Sequence, residues 1–153
     1  TIHDEIDELV DEGVKLNFLG DLSRFDDQLL RLIRTGEEKT KSNNKIQLNV
    51  MLNYGGRHEI IDAFKEYLAK GGDIDQLDED ALATHLYTAG LPDPDILIRT
   101  GGDVRMSNFM LWQAAYAELV FLDIFWPDFD LDALLSAIKE FQNRDRRFGG
   151  LTN

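Results

Sequence analysis

Cysteine is absent from the 153 residues, which removes disulfides, thiolate nucleophiles and Cys-ligated zinc together and fits an intracellular protein. No apolar run approaches the roughly 20 residues that span a bilayer, and the opening "TIHDEIDELVDEG" has neither the basic start nor the apolar centre of a signal peptide. Cations are scarce: 16 Lys and Arg face 29 Asp and Glu, for a formal charge of −13. No basic stripe is available for duplex nucleic acid, so no nucleic-acid partner is expected. The three histidines, His3, His58 and His85, lie far apart and show no metal spacing. Walker-type, nucleophile-elbow and dinucleotide Gly-x-Gly-x-x-Gly motifs are missing too, which argues against nucleotide hydrolysis, ester hydrolysis and dinucleotide redox chemistry.

What is present suits one domain over residues 1–153, since 43% hydrophobic residues at this length support a single core. The acid excess leans on aspartate, which a salt-rich cytosol or a merely solvated surface would both explain. Helical spacing of Ile2, Ile6, Leu9 and Val10 predicts a first helix ending at Gly13. "VKLNFLGD" alternates as a strand, "LSRFDDQLLRLIRTGEEKT" reads as an amphipathic helix capped by Ser23, and "IQLNVML" is a second strand. A helix carrying Ile60, Ile61, Phe64, Tyr67 and Leu68 follows, closed by "KGGD", and "DEDALATHLYTAG" reads as a short helix. "ILIRT" is a third strand, "FMLWQAAYA" is expected to be helical, "ELVFLDIFWPDF" is a strand stopped at Pro127, and Asp130 caps a final helix. Strands alternating with helices predict an α/β fold with a largely parallel sheet and helices on both faces. In such folds ligands sit beyond the carboxyl ends of the strands.

Two strands run into Gly-Gly there, in "NVMLNYGGR" and "ILIRTGGDVR". Glycine lets the backbone approach a ligand and arginine grips phosphate oxygens in a fork. Arg99, Arg105 and Ser107 therefore define a candidate diphosphate site, with Ser107-Asn108 poised as a helix cap. The alternative is a turn whose arginines pair with nearby acids. Glu118 is either a salt-bridge partner or a ligand for the divalent ion that diphosphates bring. Arg144, Arg146 and Arg147 form either a solvated helix end or an arm with a further anion contact. Trp112, Tyr116, Phe121, Phe125 and Trp126 are expected in the core.

Taken in order, "GDLSRF", "LNVMLNYGGRHEIIDA", "PDILIRTGGDVRMSNFMLWQAAYAELVFLDIFWPDF" and "NRDRRFGG" closely resemble the cis-prenyltransferases, the undecaprenyl diphosphate synthase family, from about Val14 to Gly150. The resemblance implies condensation of isopentenyl diphosphate onto an allylic diphosphate such as farnesyl diphosphate, with Mg²⁺, by a homodimer in the cytoplasm with at most peripheral membrane contact. Arg99, Arg105 and Ser107 match residues that hold the isopentenyl diphosphate. Glu118 matches a metal-associated glutamate near the dimer interface, for which residues 118–129 are expected. Arg147-Phe148-Gly149 matches an Arg-x-Gly motif whose arginine, Arg147, and backbone at Gly149 reach the partner's diphosphate site, while Arg57 is expected to be mainly architectural. Where some relatives carry histidine this chain has Val104, so a proton-handling role there is absent.

The family's Met-Asp-Gly-Asn-Gly-Arg segment, whose aspartate coordinates Mg²⁺ on the allylic diphosphate, does not occur in these 153 residues. No catalytic residue is therefore assigned within the chain, its fold is expected to be incomplete relative to the family, and the chain alone is expected to be inactive. A non-catalytic accessory subunit of a prenyltransferase complex is the alternative, against which the retained diphosphate grip argues.

Overall fold

The computed structural model describes residues 2–144, so Arg146, Arg147 and Gly149 lie outside the described residues. Its contacts fall into two compact units, Thr1–Ala89 and Gly90–Asn153.

In the first unit, α1 (Ile2–Glu12) leads into β1 (Val14–Leu19), α2 (Asp27–Thr40) and β2 (Ile46–Met51). The strands pair in parallel, Val14 opposite Ile46 through Leu19 opposite Met51. This is the β-α-β unit the alternation predicts. Ile6, Val14, Leu16 and Ile33 are buried where α1 and α2 pack on β1. Two further helices, α3 (Gly56–Ala69) and α4 (Glu79–Ala83), complete the unit.

The start of α2 differs from the sequence expectation. Asp21 accepts hydrogen bonds from the backbone N–H and hydroxyl of Ser23 and caps a short 3-10 turn, Leu22–Arg24. Asp26 then caps α2 by accepting from Leu29 N at 2.8 Å. Ser23 is thus a capped residue rather than a cap, because the carboxylate two residues earlier reaches its N–H first.

Side chains of α2 also close one edge of β1. Leu16 N donates to Thr40 Oγ1 at 3.0 Å, and Phe18 N donates to Glu37 Oε1 at 2.9 Å. Thr40 is fully buried and passes its own proton to Gly36 O at 2.8 Å. Replacing it by valine keeps the shape but leaves a buried strand N–H without an acceptor. Thr40→Val is expected to cost about 1–3 kcal/mol, read as a lowered urea midpoint at unchanged slope, whereas an unchanged midpoint would mean the edge bond contributes nothing.

The second unit holds β3 (Ile96–Arg99), β4 (Glu118–Phe121) and α5 (Leu131–Gln142). β3 and β4 are parallel, with Ile96 opposite Glu118 and Arg99 opposite Phe121. Val120 and Ala137 are fully buried where α5 packs on β4. Asp130 caps α5 as expected, accepting from Ala133 N at 2.9 Å.

The α/β class and the parallel pairing hold, but the described strands form two pairs rather than one sheet. The expected helix at "FMLWQAAYA" is replaced by turns. Ser107, Asn108 and Met110 all have positive φ (+48°, +64° and +46°), which no right-handed helix accepts. Ser107 accordingly caps no helix. The aromatic expectation is also corrected: Tyr116, Phe125 and Trp126 are 67%, 72% and 73% exposed, and Trp126 stacks on Phe129 at 5.5 Å instead of entering a core.

Candidate diphosphate site

The loop at the carboxyl end of β3 gathers three of the predicted residues into one cluster. Arg99, the last residue of the strand, donates through Nη1 to the Arg105 carbonyl and to Ser107 Oγ at 2.7 Å. Its Nη2 donates to Asp103 Oδ2 at 3.0 Å, and Arg105 Nη2 donates to the same oxygen at 2.5 Å. Asp103, which sequence reasoning did not single out, therefore bridges both guanidinium groups. The turn that brings it there uses Gly101 and Gly102, at φ +94° and +74°. Their N–H groups donate to Ile124 O at 2.7 Å and Leu122 O at 3.0 Å, fastening the turn to the chain just beyond β4.

The cluster is open to solvent on one side. Arg105 is 63% exposed and Asp103 43%, whereas Arg99 is only 23% exposed and is fixed by three bonds. Ser107 Oγ accepts from Arg99, so its own proton remains to be donated. Two guanidiniums converging on one carboxylate oxygen, with a hydroxyl bonded to one of them, lie beyond a parallel strand, donor chemistry of the kind that binds phosphate oxygens.

Glu118 is elsewhere. It starts β4 opposite Ile96, three residues from the Arg99 level and so about 10 Å along the strands. Its Oε2 accepts from Arg144 Nη1 at 3.1 Å, and the same nitrogen donates to Leu119 O at 2.8 Å. Arg144 also pairs with Glu140, one turn back on α5. Bonding to Glu118 first and Glu140 second holds the Arg144 pKa above its ordinary value. Of the two readings left open for Glu118, the salt bridge is the arrangement present. Mg²⁺ commonly takes one or two carboxylates plus substrate phosphates. The described residues contain no group of three His, Asp or Glu able to hold a metal, and Glu118 is committed to Arg144. They do not by themselves fit the ion, and no step is routed through it.

In the first unit the ends of β1 and β2 are tied together. Asn53, at φ +46°, donates through Nδ2 to Asp21 O at 3.0 Å and Asp21 Oδ2 at 3.3 Å. The Ser23 hydroxyl and N–H hold the Asp21 carboxyl below its ordinary pKa. In the same unit Glu59, 1% exposed, accepts from Tyr54 Oη at 2.5 Å and Tyr87 N at 2.9 Å. Tyr87 in turn donates to Asp62 Oδ2 at 2.8 Å, and desolvation with that bond pushes its hydroxyl pKa well up. The "NYGGR" loop is therefore held by a buried carboxylate, and Arg57 sits exposed in the first turn of α3. A Tyr and a Glu five residues apart around Gly-Gly carried no recognisable signal in the sequence.

A family profile described as "Putative undecaprenyl diphosphate synthase" matches residues 1–149. The chain belongs to that family. It is a cis-prenyltransferase by membership, 48% identical over 98% of its length to the isoprenyl transferase of Clostridium perfringens. It is 52% identical over 95% of its length to the ditrans,polycis-undecaprenyl-diphosphate synthase of Shewanella oneidensis. The chain spans 61% and 54% of these two relatives. Among solved structures it is similar to lavandulyl diphosphate synthase from Lavandula x intermedia, in complex with dimethylallyl diphosphate. There the TM-score is 0.91 and the identity 33%, covering 97% of this chain and 66% of that one. A probable undecaprenyl diphosphate synthase from Campylobacter jejuni gives a TM-score of 0.86 at 36% identity, covering 97% of this chain and 69% of that one. Arg147 and Gly149 fall within the profile match although outside the described structure. No helix of the described residues is long and apolar enough to cross a membrane.

Proposed function

We propose that the chain carries the isopentenyl diphosphate site of a cis-prenyl chain-elongating enzyme, which condenses isopentenyl diphosphate onto an allylic diphosphate to give a polyprenyl diphosphate. The observation that carries this reading is the convergence of Arg99, Arg105 and Ser107 in one loop at the end of β3. Donors aimed at diphosphate oxygens would orient the acceptor so that its double bond can attack the allylic carbon as the other diphosphate leaves, after which the condensed cation loses a proton to restore the double bond. Mg²⁺ is the counter-ion such diphosphates bring, and Arg147 and Gly149 are the residues expected to reach a partner's site. A homodimer is supported by the exposure of Phe125, Trp126 and Leu131 in a single chain. A cytoplasmic location completes the proposal.

The 153 residues are expected to bind isopentenyl diphosphate and yet, given farnesyl diphosphate, labelled isopentenyl diphosphate and Mg²⁺, to form no extended product by themselves. Calorimetric titration and a radiolabel extension assay check the two halves separately. Failure of the wild type to bind would favour the accessory-subunit reading, and product formation would refute inactivity.

A further inference from the structure

Asp103 occupies the point on which both arginines converge. A single oxygen, Oδ2, accepts from Arg99 Nη2 at 3.0 Å and from Arg105 Nη2 at 2.5 Å. That is the position a phosphate oxygen would take between two guanidinium groups. We propose that Asp103 is a displaceable internal counter-ion: it holds Arg99 and Arg105 together while the site is empty and swings out when a diphosphate enters. The proposal rests on the diphosphate reading of the loop and adds how that site is kept ready and what an incoming ligand must displace.

Three observations support displacement over a permanent structural pair. First, the Asp103–Arg105 arm of the bridge is open to solvent, with Asp103 43% and Arg105 63% exposed, so screening leaves that arm weak, and only the Asp103–Arg99 arm is half-buried. A ligand with several charged oxygens competes well against one carboxylate. Second, only the side chain needs to move. The backbone before it is fixed independently, by the Gly101 and Gly102 N–H bonds to Ile124 O and Leu122 O, and the backbone after it is held where Arg99 Nη1 donates to the Arg105 carbonyl. Arg99 retains its bonds to the Arg105 carbonyl and Ser107 Oγ after Asp103 leaves. Rotation about the Asp103 side chain thus opens the site without rebuilding the loop. Third, the charges favour such a device. In a chain of net charge −13, two bare guanidiniums a few ångströms apart repel each other and attract any of the surrounding acids. A tethered carboxylate at the correct point holds them in register, and its departure turns a loop carrying one net positive charge into two cations facing the ligand.

The sign of the expected effect separates this role from a merely structural one. If Asp103 only shaped the loop, its removal would weaken anion binding. As a displaceable counter-ion it competes with the ligand, so its removal strengthens binding. The test uses the 153-residue chain and inorganic pyrophosphate, titrated calorimetrically without metal, for wild type, Asp103→Asn, Asp103→Glu and Arg105→Ala. Circular dichroism melts confirm that each variant is folded. Asp103→Asn is expected to bind pyrophosphate about fivefold more tightly, the effect of deleting one nearby screened charge, and with a steeper salt dependence. Asp103→Glu keeps the charge and is expected to stay close to wild type. Equal or weaker binding by a folded Asp103→Asn, with Arg105→Ala still impaired, would overturn the counter-ion role and leave the diphosphate site standing. Wild type and Arg105→Ala binding alike, or neither binding, would instead overturn the diphosphate reading itself and the proposal with it.

Discussion

Arg99→Ala is expected to lower affinity for isopentenyl diphosphate at least a hundredfold, more than any other single change in the β3 loop. Two losses combine in it. The variant removes a cation aimed at the proposed ligand, and a hydrogen bond to a charged group contributes about 1.5–3 kcal/mol. It also releases the loop, because Arg99 bonds to the Arg105 carbonyl, Ser107 Oγ and Asp103 together. Arg105 and Ser107 then lose the anchor that sets their positions. Ser107→Ala, by contrast, removes one hydroxyl and is expected to cost about tenfold at most. Lysine does not replace a guanidinium that donates in two directions at once, so Arg99→Lys is expected to recover little. Calorimetry on the four proteins, with thermal melts to verify folding, gives the ranking. Near-wild-type affinity in Arg99→Lys, or a loss below about threefold in Arg99→Ala, would remove Arg99 from the centre of the site.

The same loop marks how far local pattern carries. Arg99, Arg105 and Ser107 were legible because strand, Gly-Gly and cations occur within nine residues, and strand ends are where α/β folds bind ligands. Asp103 was not, since an acid among two arginines reads as ordinary surface charge until the left-handed turn at Gly101 and Gly102 aims it back at both. "FMLWQAAYA" is composed of good helix formers, yet positive φ at three of four residues, Ser107, Asn108 and Met110, overrides that propensity. Asp26 outcompetes Ser23 as the cap of α2 through a carboxylate three residues ahead of an orphan N–H, a pattern present in the sequence but shared by several neighbours. Glu118 and Arg144 are 26 residues apart, and no spacing rule joins them. Exposure of Phe125 and Trp126 likewise depends on what packs around them, which composition does not encode. Periodicity, in short, located β1, β2, α3 and α5, whereas the contacts that decide the site's chemistry are set by turns and by long-range pairs.

Gly20→Ala is expected to destabilise the first unit by about 3 kcal/mol or more. Gly20 lies between β1 and the Asp21 clamp at φ +119°, where a side chain is already strained. A Cβ there would stand 2.1 Å from the Leu52 carbonyl oxygen, which belongs to the backbone leaving β2 and has no rotamer by which to yield. That carbonyl is held close because Leu52 N donates to Leu19 O at 2.8 Å, extending the β1–β2 ladder by one bond. Relieving the contact means parting the strands where Asn53 reaches back to Asp21. A unit of this size has a total stability of roughly 4–13 kcal/mol by the usual per-residue range, so the change consumes much of it. Gly71→Ala supplies the control: its φ is also positive, at +87°, but nothing lies within 4 Å of the added carbon. That variant is expected to lose only about 1 kcal/mol, from backbone conformation alone. Urea unfolding of the two variants beside wild type measures the contrast, and equal losses in both would show that strand separation at Leu52 is not what Gly20 prevents.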